Sequence, residues 1–189
     1  THTLGAMMVR WCAQGHRPWA LADSNAATDH LARAAASRGL RVVRLGRYER
    51  VSDDVRPLTV RAQIEAGPHG AALRALDRDI SRGLSRGDRG MGPLFRERRD
   101  LKQQAWRHIV ESAQVLACTL GSLSRLIADL PKATVAVVDE ATQALEPGIW
   151  VAAPHVDRLV LVGDPHQLGP VVIDQNNPLE RSLLQRLIE

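Results

Sequence analysis

Apolar residues fall into two kinds of run along this chain. Short continuous runs, rich in β-branched residues and too brief for helices, occupy residues 19–22, 40–45, 114–119, 135–138 and 159–162. Each reads as a strand, and the last two as buried parallel strands, whose side chains are apolar toward both faces of a sheet. Elsewhere the apolar positions recur at helical spacing. That pattern predicts helices over residues 5–14, from a Ser24 or Asn25 cap to Ser37, and over 58–65, 71–84 and 94–110. Two more are predicted over 144–153, interrupted early by Pro147, and over 179–188, opened by Asn177-Pro178 with Leu183, Leu184 and Leu187 toward the core. Strands alternating with helices make an α/β fold, a parallel sheet flanked by helices. Residues 55–112 break the alternation, being helical throughout, with breaks at Gly67-Pro68 and in the glycine-rich stretch 83–92, which reads as a mobile loop. The domain reading is therefore 1–54 and 113–189 for the sheet domain, with 55–112 inserted.

Composition narrows the class. At 189 residues, one domain of ordinary size with a real core is expected. Aromatic residues are 3% of the chain, so that core is aliphatic and alanine-rich. No run approaches the roughly 18–20 apolar residues of a membrane helix, and no secretory leader pattern opens the chain. Cys12 and Cys118 are too few for a disulfide framework or a zinc site and read as buried thiols of an intracellular protein. Net charge is +4 with a pI of about 9.8, which permits an anionic partner. The distribution sharpens this, because residues 55–110 hold 12 Lys or Arg against 6 Asp or Glu. Arg86, Arg89, Arg96, Arg98, Arg99 and Lys102 are candidates for phosphate contacts, and equally suit a solvated helical face with i,i+4 pairs.

The chemistry concentrates in residues 135–170. The first strand there ends in Asp139-Glu140 and the second in Gly163-Asp164, about 25 residues apart. In open α/β sheets ligands bind outside the carboxyl ends of the strands, so Asp139, Glu140 and Asp164 fall where a ligand sits. A nucleoside triphosphate carries Mg²⁺, which takes oxygen ligands and keeps several waters. An aspartate at a strand tip holds such an ion, a neighbouring glutamate deprotonates the attacking water, and the amides of Gln143 and Gln167 donate to phosphate oxygens or to that water.

Asp139-Glu140-Ala141-Thr142-Gln143 and Gly163-Asp164-Pro165-His166-Gln167-Leu168-Gly169-Pro170 resemble motifs II and III of superfamily 1 helicases, most closely the up-frameshift RNA helicases of nonsense-mediated decay. Ala144-Leu145-Glu146-Pro147, Val171-Val172 and Gly39 to Leu45 carry the same likeness. Asp23-Ser24-Asn25-Ala26-Ala27-Thr28-Asp29-His30-Leu31 is similar to motif Ia, with Asp23 where proline is usual, and Thr119-Leu120-Gly121-Ser122 to motif Ic. The resemblance implies the first RecA-like P-loop motor domain, with a basic helical insertion. It implies ATP and Mg²⁺ as cofactors, with Thr1 as the last residue of a Walker A loop and a Mg²⁺ ligand beside Asp139. Glu140 is the implied general base, Gln143 and Gln167 are the implied γ-phosphate sensors, and Asp164 is implied to belong to the nucleotide-binding residues. Ser24, Asn25, Thr119 and Pro170 are implied to face nucleic acid.

By that resemblance the parent protein is an ATP-dependent helicase moving 5′ to 3′ on single-stranded RNA or DNA. Its implied setting is RNA surveillance, in the cytoplasm or nucleus, with decay factors as possible partners and no membrane. The chain holds neither the phosphate-loop lysine nor a second motor domain, so by itself it is expected neither to unwind nor to hydrolyse ATP measurably. Two other readings stay open: a DNA or transcription-termination helicase of the same superfamily, and a non-catalytic nucleic-acid-binding module derived from a helicase.

Overall fold

In the computed structural model, which describes residues 2–173 and 177–189, the strand pattern becomes one five-stranded, all-parallel sheet. Its strands are β1 (Trp19–Ala22), β2 (Val42–Arg44), β3 (Val115–Thr119), β4 (Ala133–Asp139) and β5 (Val156–Leu161). Their spatial order is β2-β3-β1-β4-β5, with Ala22 in register with Thr119 on one side and Asp139 on the other. The chain divides into two compact units, residues 1–59 with 113–189, and Val60–Ser112.

The sheet unit is built on alternation. Ala20 and Ala22 of β1, Val42 of β2, Val115 and Ala117 of β3, and Val135 and Val137 of β4 point to one face. There they meet Leu4, Met8 and Trp11 of α1 (His2–Ala13) and Leu31, Ala32 and Ala35 of α2 (Asn25–Ala36). The small strand residues let α2 lie close to the sheet, and the bulk missing from the strands is supplied by Met8 and Trp11. Each fully buried aliphatic side chain contributes about 1.5–3 kcal/mol. Ser24 caps α2, its hydroxyl accepting from the Ala27 amide at 3.1 Å. The residues of β1 and β3 are buried along their whole length, as a sheet covered on both faces requires.

The second unit contains α3 (Val60–Ala66), α4 (Pro68–Arg86) and α5 (Gly92–Ser112). Gly67-Pro68 starts α4 rather than preceding it by several residues, because proline is favoured where the first-turn N–H has no partner anyway. In the stretch 83–92, expected as a mobile loop, residues 87–91 do lie outside regular structure, and only its two ends are helical. The helix α4 runs through Gly83 to Arg86, and Gly87 closes it in the left-handed conformation at φ +74°, with Asp88 N donating to Gly83 O at 3.0 Å. Gly83 is there for close approach, since a Cβ would lie 2.3 Å from the Sδ of the buried Met91.

Five other expectations change. The strand β5 lies at the edge of the sheet and is only partly buried, against the buried strand predicted. Pro147 opens a short helix, α7 (Glu146–Trp150), instead of interrupting a longer one. The predicted final helix is divided into a 3₁₀ turn at Pro178–Glu180 and α8 (Leu183–Ile188). Ser182 causes the division by forming a capping box with Gln185, which starts a new helix at that point. Leu183 is buried as expected, but Leu187 is 69% exposed. Cys118 is buried, whereas Cys12 is only partly so.

Candidate functional site

The chain order fixes where the sheet opens. From β1 the chain crosses by α2 to β2 at one edge, and from β4 it crosses to β5 at the other edge. The carboxyl ends of β1 and β4 are therefore the topological switch point, the crevice where open α/β sheets take ligands. Asp139 ends β4 there and is 6% exposed, with its Oδ1 accepting from the Glu140 amide at 3.2 Å. Glu140 follows at φ +54°, and among the described residues no other residue but glycine has a positive φ. A left-handed backbone at a bulky side chain is disfavoured, and such outliers gather at functional sites. The turn is held by Gln143 N donating to Glu140 O at 2.9 Å.

The expected second half of the site joins the first through backbone. Val162 N donates to Val138 O at 2.9 Å and Ala141 N to Val162 O at 2.8 Å, so the chain beyond β5 stays paired past the tip of β4. Gly163 then sits against Thr142, and a Cβ would come within 3.1 Å of the Thr142 amide, the Thr142 hydroxyl and the Leu184 side chain. Asp164 turns the next segment, its Oδ1 accepting from His166 N at 3.0 Å while Gln167 N donates to Asp164 O at 3.0 Å. Gln143, Asp164 and Gln167 present exposed side chains. Thr142 Oγ1 is buried with no hydrogen-bond partner among the described residues.

Of the sites expected to face nucleic acid, Ser24 and Asn25 follow β1 and Thr119 ends β3, while Pro170 lies beyond β5. Ser24 is exposed and Asn25 half-buried. Thr119 is 8% exposed and caps α6 (Leu120–Leu126), accepting from Ser122 N at 3.1 Å and bonding the Ser122 hydroxyl at 2.9 Å. Pro170 is buried. Asp23 follows β1, and desolvation raises its carboxyl pKa above the ordinary value. Thr1 lies outside the described residues.

Beneath this edge is a cluster the sequence reading did not single out. Arg44, at the end of β2, is 1% exposed. Its Nε donates to Asp29 Oδ1 at 2.7 Å, its Nη2 to Asn25 Oδ1 at 3.0 Å, and its Nη1 to Leu45 O. The other oxygen of Asp29 accepts from Ser52 N at 2.8 Å. The signal was a charged residue inside the run Val42-Val43-Arg44-Leu45, matched by an acid on the Ala32 face of α2. Cys118, the residue before Thr119, has its thiol pushed up to about 12 by burial, against a smaller opposing pull from Arg44.

The helical unit has its own concavity, a cleft of about 570 Å³. Arg61, Arg74, Arg98 and Lys102 line it together with Trp106 and an apolar floor that includes Ile64 and Leu73. Its carboxylates are engaged, Glu65 by Arg61 at 2.9 Å and Asp77 by Arg98. Arg74 donates to the Glu65 carbonyl at 3.0 Å and makes no ion pair among the described residues. Arg99 pairs with Asp100 at 3.3 Å. Arg86, Arg89, Arg96 and Lys102 are exposed and make no ion pair among the described residues.

Among the described residues no group of three or more His, Cys, Asp or Glu could hold a metal ion alone. Mg²⁺ delivered with a nucleotide needs one or two protein carboxylates, because phosphate and water supply the rest. Asp139, an oxygen donor at the switch point, fits that role. No helix among the described residues is long and apolar enough to cross a membrane.

A family profile described as an AAA domain matches residues 89–175. "Regulator of nonsense transcripts 1" of Caenorhabditis elegans is 36% identical over 87% of this chain and 16% of its own length. "DNA polymerase alpha-associated DNA helicase A" of Schizosaccharomyces pombe is 27% identical over 100% of the chain and 30% of its own. "DNA-binding protein SMUBP-2" of Mus musculus is 27% identical over 100% of the chain and 21% of its own. The chain thus spans less than a third of the length of each of these relatives.

Proposed function

Because the chain belongs to the up-frameshift-like superfamily 1 helicases and has the parallel α/β architecture of a RecA-like domain, we propose that it is part of an ATP-driven motor. The motor moves 5′ to 3′ along single-stranded RNA or DNA. One observation carries the reading: two acids end the strand at the switch point, and the second is held in a left-handed backbone that folding alone disfavours.

In this motor Asp139 would hold Mg²⁺ with Thr1, and the bound ion would neutralise charge on the triphosphate. Glu140 would accept the proton of the attacking water as general base. Gln143 and Gln167 would donate amide hydrogens to the γ-phosphate or the water, and Asp164, by turning the segment, would position Gln167. The pairing of residues 138–141 with Val162 makes any shift at one acidic tip felt at the other. Ser24, Asn25 and Thr119 would line the path of the nucleic-acid strand at the β1 and β3 ends, with Pro170, beyond β5, toward it. Within the helical insertion, taken by itself, Arg86, Arg89, Arg96 and Lys102, which make no ion pair among the described residues, would be phosphate contacts, with Arg98 and Arg99 nearer to carboxylates. Its cleft suits a nucleotide, with Trp106 for stacking and Arg74 and Lys102 for phosphate.

The relatives named for nonsense transcripts support a role in RNA surveillance, and decay factors as partners and a setting in cytoplasm or nucleus belong to the same proposal. Those named for DNA support a DNA motor instead, and competition between matched RNA and DNA strands separates the two. The deciding experiment is Glu140→Gln in the whole protein. ATP binding is expected to persist while hydrolysis falls by about 10²-fold or more. Unchanged turnover would remove Glu140 from the base role. Strand binding with no response to ATP in the unaltered protein would make it a non-catalytic binding module.

A further inference from the structure

Arg44 is too deep to touch a strand, yet it is bonded to a residue proposed to do so. A guanidinium has only donors, so whichever atom of Asn25 faces Arg44 Nη2 must be the amide oxygen. The other end of that amide is an NH₂ group with no acceptor among the described residues. Asn25 is half-buried at the first position of α2, beside the exposed Ser24, whose hydroxyl oxygen is taken by the Ala27 amide and whose own hydrogen is unassigned. Two unused donors therefore stand side by side at the N-terminus of a 12-residue helix.

We propose that Arg44 is a positioning residue, held by Asp29, that locks the Asn25 amide with its oxygen inward and its NH₂ outward. Asn25 then offers only donors to the strand, and its partner is an acceptor on the nucleic-acid backbone, a phosphate or sugar oxygen. This rests on the nucleic-acid reading given above. The lock is rigid because Arg44 is tied at three places, to Asp29, Asn25 and Leu45, and Asp29 is fixed from behind by Ser52. Gly46 lets the chain turn over the guanidinium, at φ +137° with a would-be Cβ only 3.1 Å from Arg44 Nη1.

The orientation predicts an unusual order of variants. Asn25→Ala removes one neutral donor. Asn25→Asp keeps an oxygen for Arg44 and turns the second oxygen, now anionic, toward the phosphate. Binding of a fluorescent single-stranded oligonucleotide, RNA and DNA in parallel, is measured by anisotropy over a salt series, with thermal unfolding alongside. Asn25→Ala is expected to weaken binding about 3-fold without changing the salt slope. Asn25→Asp is expected to weaken it by about tenfold or more at low salt, a penalty that shrinks as salt screens it, while melting no lower than Asn25→Ala. Arg44→Lys, which cannot hold three acceptors with one fork, weakens binding in the native background and has no further effect in the Asn25→Ala background.

Asn25→Asp binding as tightly as Asn25→Ala, or melting below it, overturns the proposed orientation. Equal losses from Arg44→Lys in both backgrounds overturn the positioning role of Arg44. If Arg44→Lys does not fold, the Asn25 pair still decides. Absence of strand binding by the unaltered protein is a separate outcome, which overturns the nucleic-acid reading and this inference with it.

Discussion

Replacing Asp29 by alanine removes the only carboxylate that meets Arg44 among the described residues. The side chain of Arg44 is 0% exposed and that of Asp29 is 5%, with Nε 2.7 Å from Oδ1. Breaking a buried pair by deleting one partner costs about 3–5 kcal/mol, because the remaining charge stays desolvated. The Ser52 amide loses its acceptor as well, adding about 1 kcal/mol. The total approaches the whole stability of an ordinary domain, about 5–15 kcal/mol. The double variant Asp29→Leu with Arg44→Met removes both charges and leaves apolar groups of similar volume. It is expected to recover most of the loss, since such replacements are often neutral or stabilising by about 1–4 kcal/mol. Urea unfolding, followed by the fluorescence of the buried Trp11 and Trp19 and by circular dichroism, measures both variants. An Asp29→Ala loss below about 1 kcal/mol, or a double variant as unstable as the single losses summed, refutes the claim that this pair organises the strand edge.

Three further outcomes are expected. Cys118, pushed up to about 12 by burial from an ordinary value of 9.0, has its thiolate fraction at neutral pH cut by about a thousandfold; iodoacetamide mapping of the folded protein should label Cys12 well before it, and equal labelling would contradict the burial. Thr142→Val removes a buried hydroxyl that has no partner among the described residues and should be neutral or stabilising by about 1 kcal/mol; a loss larger than that would reveal a hydrogen bond to the hydroxyl. Arg33, with Nε 2.6 Å from Asp54 Oδ2, holds the Asp54 carboxyl down to about 2, with help from Ser52. Its folded value lies below the unfolded one, so the stabilisation is complete above about pH 4 and is lost as pH falls toward 2. Asp54→Asn should flatten acid unfolding slightly in that window, because the pair is exposed; an unchanged profile would count against the pair.

Much of this protein was legible in order of residues. Continuous apolar runs with β-branched residues became strands, and β1 matched its predicted run from Trp19 to Ala22, because a strand buried on both faces has no polar position to blur its ends. The two acidic tips stood out for the opposite reason, since charged residues directly after a buried run are placed at the mouth of a sheet. Local signals also misled. Glycines at 83 and 87 read as one loose loop, but only Gly87 is a turn, while Gly83 makes room for Met91, a residue eight positions away. Pro147 read as an interruption and is a helix start.

Tertiary structure alone decided the rest. Strand order is not written in any single run, so the switch point between β1 and β4, and the contact of Gly163 with Thr142, appear only when the sheet is assembled. The edge position of β5 leaves its apolar run partly exposed, which periodicity cannot distinguish from a central strand. Asp29 and Arg44 are 15 residues apart and on different elements, and their pairing depends on α2 lying across β2. The sequence by itself determined which groups this protein has for chemistry and on which elements they sit. Only the packed chain determined which of those groups meet, because burial and register set the distances at which charges and hydrogen bonds act.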